Sequence, residues 1–271
     1  MDDVSFEVTV RDTEILADVA PRLRQGTVIA IPSLPRENGR SRIAAARRVR
    51  ALGFEPMLHL SARRIASSAE LEDFLSQGIA EAAIDRCLVV TGDAPHPAGP
   101  FADSAAVIET GIFERAGIRT VGVSAHPEGH PVMNEAECWS VLERKCSDIS
   151  RRGMTPLIVT QFAFDAHRIL AWLASLRASG LAHPVRIGVA GPASAATLTS
   201  FALRCGVGTS ATLLARQGRS LGKLLETNGP NRFVDQLVAG LGSEHGQARL
   251  HFYPFGGIAR TVGWIERYSV K

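Results

Sequence analysis

Short apolar, β-branched runs alternate with amphipathic stretches along most of this chain. The runs at residues 4–10, 27–31, 56–60, 87–91, 120–125, 157–161, 185–190 and 249–253 read as strands. Several are nearly continuous in apolar residues, the pattern of strands covered on both faces. Between them the period turns helical. Ile169, Trp172, Leu173 and Leu176 fall at i, i+3, i+4 and i+7, and Arg168 and Arg177 are expected to face away from that stripe. Ser67 and Glu70 fit a capping box at the start of the third helix. Gly26, Gly53, Gly117, Gly153, Gly180 and Gly206 punctuate the helix ends, several of them about 27 residues apart, the spacing of a repeating βα unit.

Strands and helices alternating in this way predict an α/β fold, an eight-stranded parallel β/α (TIM) barrel formed by one domain over residues 1–271. An open doubly wound sheet fits less well, because no GxGxxG follows the first strand and such sheets more often stop at five or six strands. The connection from about residue 207 to 246 is long enough for extra helices between strands 7 and 8, near 213–227 and 232–241.

Charge and composition narrow the function classes. The net charge is +3 with both signs mixed along the chain, which leaves no basic footprint for nucleic acid. No apolar run is long enough to span a bilayer, so no membrane partner is expected. The opening MDDVSFEVTV carries two acids where a signal peptide carries Lys or Arg. Cys87, Cys138, Cys146 and Cys205 form no CxxC pair, consistent with free thiols in a cytoplasmic protein.

In a barrel, catalytic groups gather at the carboxyl ends of the strands. Reading those ends gives Glu7 on the first strand, His59 on the third and Asp93 after the fourth. His126, Glu128 and His130 follow the fifth, Gln161 and Asp165 the sixth, and the segments GVAGPAS and HFYPFGG the last two. Each has a plainer reading. Glu7 alternates with apolar neighbours and is equally consistent with a residue facing water. Asp93 suits a turn or helix cap, and His59 suits a hydrogen-bonded core histidine. Gln161 needs hydrogen-bond partners if buried. His126 and His130 suggest metal ligands, but the prolines of HPEGHP prevent the helix on which an i, i+4 pair shares a face, so no metal is expected.

Taken in order, SFE, PMLHL, TGDAP, HPEGHP, VTQFAFD, GVAGP and LHFYPF resemble the methylenetetrahydrofolate reductase family, in its short bacterial form without a regulatory domain. The resemblance spans nearly the whole chain. It implies a flavoprotein that binds FAD, takes hydride from NADH or NADPH, and passes it to 5,10-methylenetetrahydrofolate by a ping-pong route. By motif, Glu7 matches the family's general acid, which protonates N10 so that the five-membered ring opens. A carboxyl suits that step if burial raises its pKa. Asp93 matches the aspartate near flavin and pterin, and Gln161 the glutamine that orients folate and nicotinamide. Ser33, His59, Thr91, Gly92, Asp93, Ala102, His126, His130 and Lys145 fall where the family contacts FAD, Lys145 as the cation near the diphosphate. Family members self-associate, so a homo-oligomer is expected.

The chain departs from the family pattern in four places. Thr91 stands where arginine is common, and His126 where tyrosine opens the loop. Gly256 and Gly257 stand near a usual arginine, with Arg260 just beyond, and no aromatic follows the seventh strand near residues 193–196. These bear on FAD affinity, nicotinamide preference and binding of the folate tail. Two further readings use the same residues: a metal-dependent barrel hydrolase built on His59, Asp93, His126 and His130, and a flavin- or folate-binding protein without turnover.

Overall fold

A computed structural model describes residues 3–35, 37–204 and 229–270. Its strands are β1 (Ser5–Glu7), β2 (Val28–Ile31), β3 (Glu55–Ser61), β4 (Arg86–Val90), β5 (Thr120–Ala125), β6 (Thr155–Ala163), β7 (Val185–Ala190) and β8 (Ala248–Tyr253). They close into a barrel in sequence order. The ladders are parallel, with Ile31 opposite Leu58, Ser61 opposite Val90, Gly188 opposite His251 and Ser5 again opposite His251. This is the TIM barrel expected from the alternation of strands and helices.

Two carboxyl ends of strands differ from the sequence reading by more than one residue. β1 stops at Glu7 because the chain turns at once into the helix Thr13–Val19. The carbonyl of Thr9 accepts from the amides of Asp12 and Thr13, and its Oγ1 donates to Asp12 Oδ2 at 2.6 Å. β6 instead runs two residues past Gln161, to Ala163.

The helices follow the apolar stripes. In Ala166–Ala178, Ile169, Leu173 and Leu176 are buried. Arg177 does not face away as expected. Its guanidinium donates to the carbonyls of Leu181, His183, His245 and Gln247, beyond the helix end. Ser67 caps the helix Ser68–Ala82 by accepting from the Glu70 amide at 3.1 Å. Glu70 reaches back to the amide of Ala66, one residue before the expected partner. Gly53 and Gly153, at φ 84 and 76, turn the chain out of the helices Gly39–Ala51 and Glu135–Arg151.

Between β7 and β8 stand the helices Ala195–Arg204 and Asn231–Gly240, the second of which matches the insertion expected at 232–241. The helix expected at 213–227, with Cys205 and Gly206, lies outside the described residues. Among the described residues no helix is long and apolar enough to cross a membrane.

The chain divides into two compact units, Met1–Phe6 with Ala125–Ser140 and Val159–Lys271, and Glu7–Ser124 with Val141–Ile158. The second is cored by fully buried Ile29, Ile31, Leu58, Val89 and Val121. The first is cored by aliphatic Val189 and Ile187 and by an aromatic group around Phe162.

Candidate active site

Alternation along β1 puts Ser5 and Glu7 on one face and Phe6 on the other. Phe6 stacks on Phe252 with ring centroids 5.7 Å apart, and Ser5 Oγ lies 2.8 Å from the Nδ1 of fully buried His251. Glu7 therefore does not face water. Its side chain is 24% exposed, and its Oε2 lies 3.7 Å from the Nε2 of His59. Burial pushes the Glu7 carboxyl up to about 7. His59 is buried on β3, and its carbonyl accepts from the Arg42 guanidinium, which also lies 5.0 Å over the Phe74 ring.

Past β4 the backbone passes through Thr91 and Gly92. Gly92 has φ 87, and a Cβ there would lie 3.0 Å from Ser61 Cβ, so a side chain would be strained and would crowd Ser61. Asp93 follows, exposed, and accepts at Oδ1 from Arg64 Nη2 at 2.6 Å. That bond holds the Asp93 carboxyl below its usual range, the reverse of Glu7. Arg63 fixes the rest of the loop. Its amide donates to the carbonyl of Thr91, its carbonyl accepts from the amide of Ala98, and its guanidinium donates to the carbonyls of Ala94 and Ala102. Ser33 is half-buried just beyond β2. Lys145 is buried on the helix Glu135–Arg151, its Nζ 3.5 Å from Ser104 Oγ.

The other unit carries the remaining candidates. His126 and His130 meet edge to face with centroids 4.7 Å apart. His130 Nδ1 accepts from the amides of Val132 and Met133, so in this arrangement its proton sits on Nε2. Glu128 is buried, and its Oε1 accepts from the amide of Phe164. Gln161 is half-buried, with its Oε1 accepting from the next amide, that of Phe162, at 3.2 Å. Thr160 braces this position. Its Oγ1 accepts from the Gly188 amide at 2.8 Å and donates to the Gln161 carbonyl, while its own carbonyl accepts from Tyr253 Oη. Asp165 is a helix cap, accepting from the amides of His167 and Arg168.

The structure thus pairs Glu7 with His59, His126 with His130, and Asp93 with an arginine the motif reading had not singled out. Arg63, Arg64, Ser104 and Thr160 were all missed. Arg63 and Arg64 sit directly past the end of β3, and that position was the available signal. No aromatic follows β7 immediately, but Phe201 of the helix Ala195–Arg204 stacks on Phe255 at 4.1 Å, beside Tyr253 and Phe162. Among the described residues no group of three or more His, Cys, Asp or Glu is placed to hold a metal ion.

A family model described as methylenetetrahydrofolate reductase matches residues 33–255. Solved structures share the fold at low identity. One is an uncharacterized protein from Clostridium thermocellum described as binding two copies of 5-methyl-5,6,7,8-tetrahydrofolic acid. It is 13% identical with a TM-score of 0.63, over 99% of this chain and 96% of its own. Dihydropteroate synthase from Thermus thermophilus is 17% identical with a TM-score of 0.53, over 99% and 92%. The Burkholderia cenocepacia dihydropteroate synthase is 14% identical with a TM-score of 0.54, over 98% and 89%.

Proposed function

We propose, from the premise that the chain belongs to the methylenetetrahydrofolate reductase family, that it reduces 5,10-methylenetetrahydrofolate to 5-methyltetrahydrofolate with hydride from NADH or NADPH, by way of FAD. The observation that carries this reading is Glu7, a covered carboxyl at the end of a barrel strand that keeps its proton close to neutral pH. The folate-binding relative with the same fold supports a pterin as ligand.

The residues suit the flavin. A buried ammonium beside a hydroxyl, Lys145 with Ser104, complements a diphosphate, and Gly92 presents bare backbone where a side chain would crowd Ser61. Together with Ser33, His59, Thr91, Asp93, Ala102, His126 and His130, they would hold it. When bound, the flavin would supply hydride transfer in two separate half-reactions, from the nicotinamide and then to the one-carbon unit.

Glu7 protonates N10 of methylenetetrahydrofolate, and the five-membered ring opens to an electrophilic iminium. An acid that titrates near 7 is still protonated enough to give up a proton there and weak enough as an anion to regain it. Asp93, kept ionised by Arg64, accepts hydrogen bonds from N–H groups of the pterin. Gln161 orients folate and nicotinamide through its amide. Their surroundings shift the two carboxyls in opposite directions, as an acid and an acceptor require. On the same reading residues 1–271 form one catalytic domain that works in the cytoplasm as a homo-oligomer.

The test is spectroscopic. Purified protein should be yellow, NADH or NADPH should bleach it without air, and methylenetetrahydrofolate should restore the colour. A colourless protein that refuses added FAD would overturn the reading.

A further inference from the structure

Asp93 is three-quarters exposed and follows a glycine in left-handed backbone, so within its own loop its carboxylate has little beyond a hydrogen bond from its own backbone amide to fix it. The turn after β3 supplies what the loop lacks. Arg63 is spent on backbone groups of the loop between Thr91 and Ala102. Arg64 reaches Asp93 Oδ1 at 2.6 Å, and among the described residues no other side chain donates to Oδ2. Arg64 is itself only 26% exposed, and its Nε is buried without a hydrogen-bond partner. Among the described residues, Asp93 is the hydrogen-bond partner of its guanidinium. An exposed ion pair adds little to folding, so stability alone is a weak reason for an arginine to be held this way.

We propose that Arg64 is a positioning residue for Asp93: by occupying Oδ1 it fixes the rotation of the carboxylate and leaves Oδ2 to accept from the N–H edge of a pterin. The inference rests on the proposed folate reduction and adds a residue to its specificity. A carboxylate that accepts at one defined oxygen recognises a donor edge better than one that rotates freely, because less rotational freedom is lost when the ligand binds.

The experiment is a double-mutant cycle on ligand affinity. Binding of 5-methyltetrahydrofolate is measured by titration calorimetry for the purified holoprotein and for R64Q, R64K, D93N and R64Q/D93N. Thermal melts establish that each variant is folded. R64Q is expected to weaken binding about fivefold and to raise the folate KM by more than it lowers kcat. R64K should restore most of the affinity. In the D93N background, adding R64Q should change affinity by less than about twofold, because the group it positions is gone. Equal weakening in both backgrounds, or none in the wild type, overturns the role of Arg64 alone. A wild-type protein that binds no 5-methyltetrahydrofolate overturns the folate reading itself and the inference with it, and shows this before any variant is compared.

Discussion

The Oε2 of Glu7 stands 3.7 Å from the Nε2 of His59, with both side chains largely withdrawn from water. Burial without a compensating charge raises the carboxyl from 4.5 to about 7. The folded state therefore holds a proton on Glu7 that the unfolded chain releases between pH 4.5 and 7. Stability should fall as pH rises through that window, by up to about 3 kcal/mol. Glu7→Gln removes this cost. The variant should match the wild type at pH 4 and exceed it by about 1–3 kcal/mol at pH 8. Urea melts at the two pH values check this, and a difference independent of pH would show that Glu7 does not titrate as described.

The same variant should separate the half-reactions. With the proton donor gone, reduction of the folate should drop at least about 100-fold, while bleaching by nicotinamide stays within about twofold. Stopped-flow measurement of each half-reaction decides it. Folate reduction at the normal rate would remove Glu7 from the acid role.

Gly188 presses against the backbone of β6. A Cβ there would lie 2.7 Å from the carbonyls of Thr160 and Gln161 and the amide of Phe162. Gly188→Ala should cost about 1–3 kcal/mol through overpacking. Thr160→Val should cost a similar amount, because it strands the Gly188 amide without its acceptor. Both changes disturb the strand that carries Gln161, so KM for folate and nicotinamide should rise in active preparations. Melting temperatures unchanged from the wild type would count against this packing account.

Cys87 and Cys146 are buried, and burial raises both thiols, Cys146 to about 11. Native protein treated with a thiol reagent at pH 8 should leave both unlabelled, and denaturant should release both. Peptide mass mapping reads the result, and rapid native labelling of Cys87 would contradict its placement on β4.

The strands were legible in the sequence because continuous apolar runs have few other uses at this length. The face of Glu7 was not. SFEVTV fits either orientation, and the matter rests on Ser5 meeting His251 across a register that joins the first strand to the last. Asp165 likewise was not read as the cap of a helix. Arg64 and Arg177 escaped for a shared reason. Long charged side chains leave no periodic trace, and Arg64 finds Asp93 29 residues along the chain while Arg177 finds Gln247 70 residues along it.

The tethering of the segment after β4 by Arg63 has a practical consequence for anyone redesigning this protein. Its carbonyls and amides answer to the turn after β3, and Gly99 sits so close to the Ala66 carbonyl that a Cβ would lie 2.2 Å from it. The two loops are one interchangeable part. A graft that imports either without the other would bring in a sequence cut off from the scaffold that gives it shape.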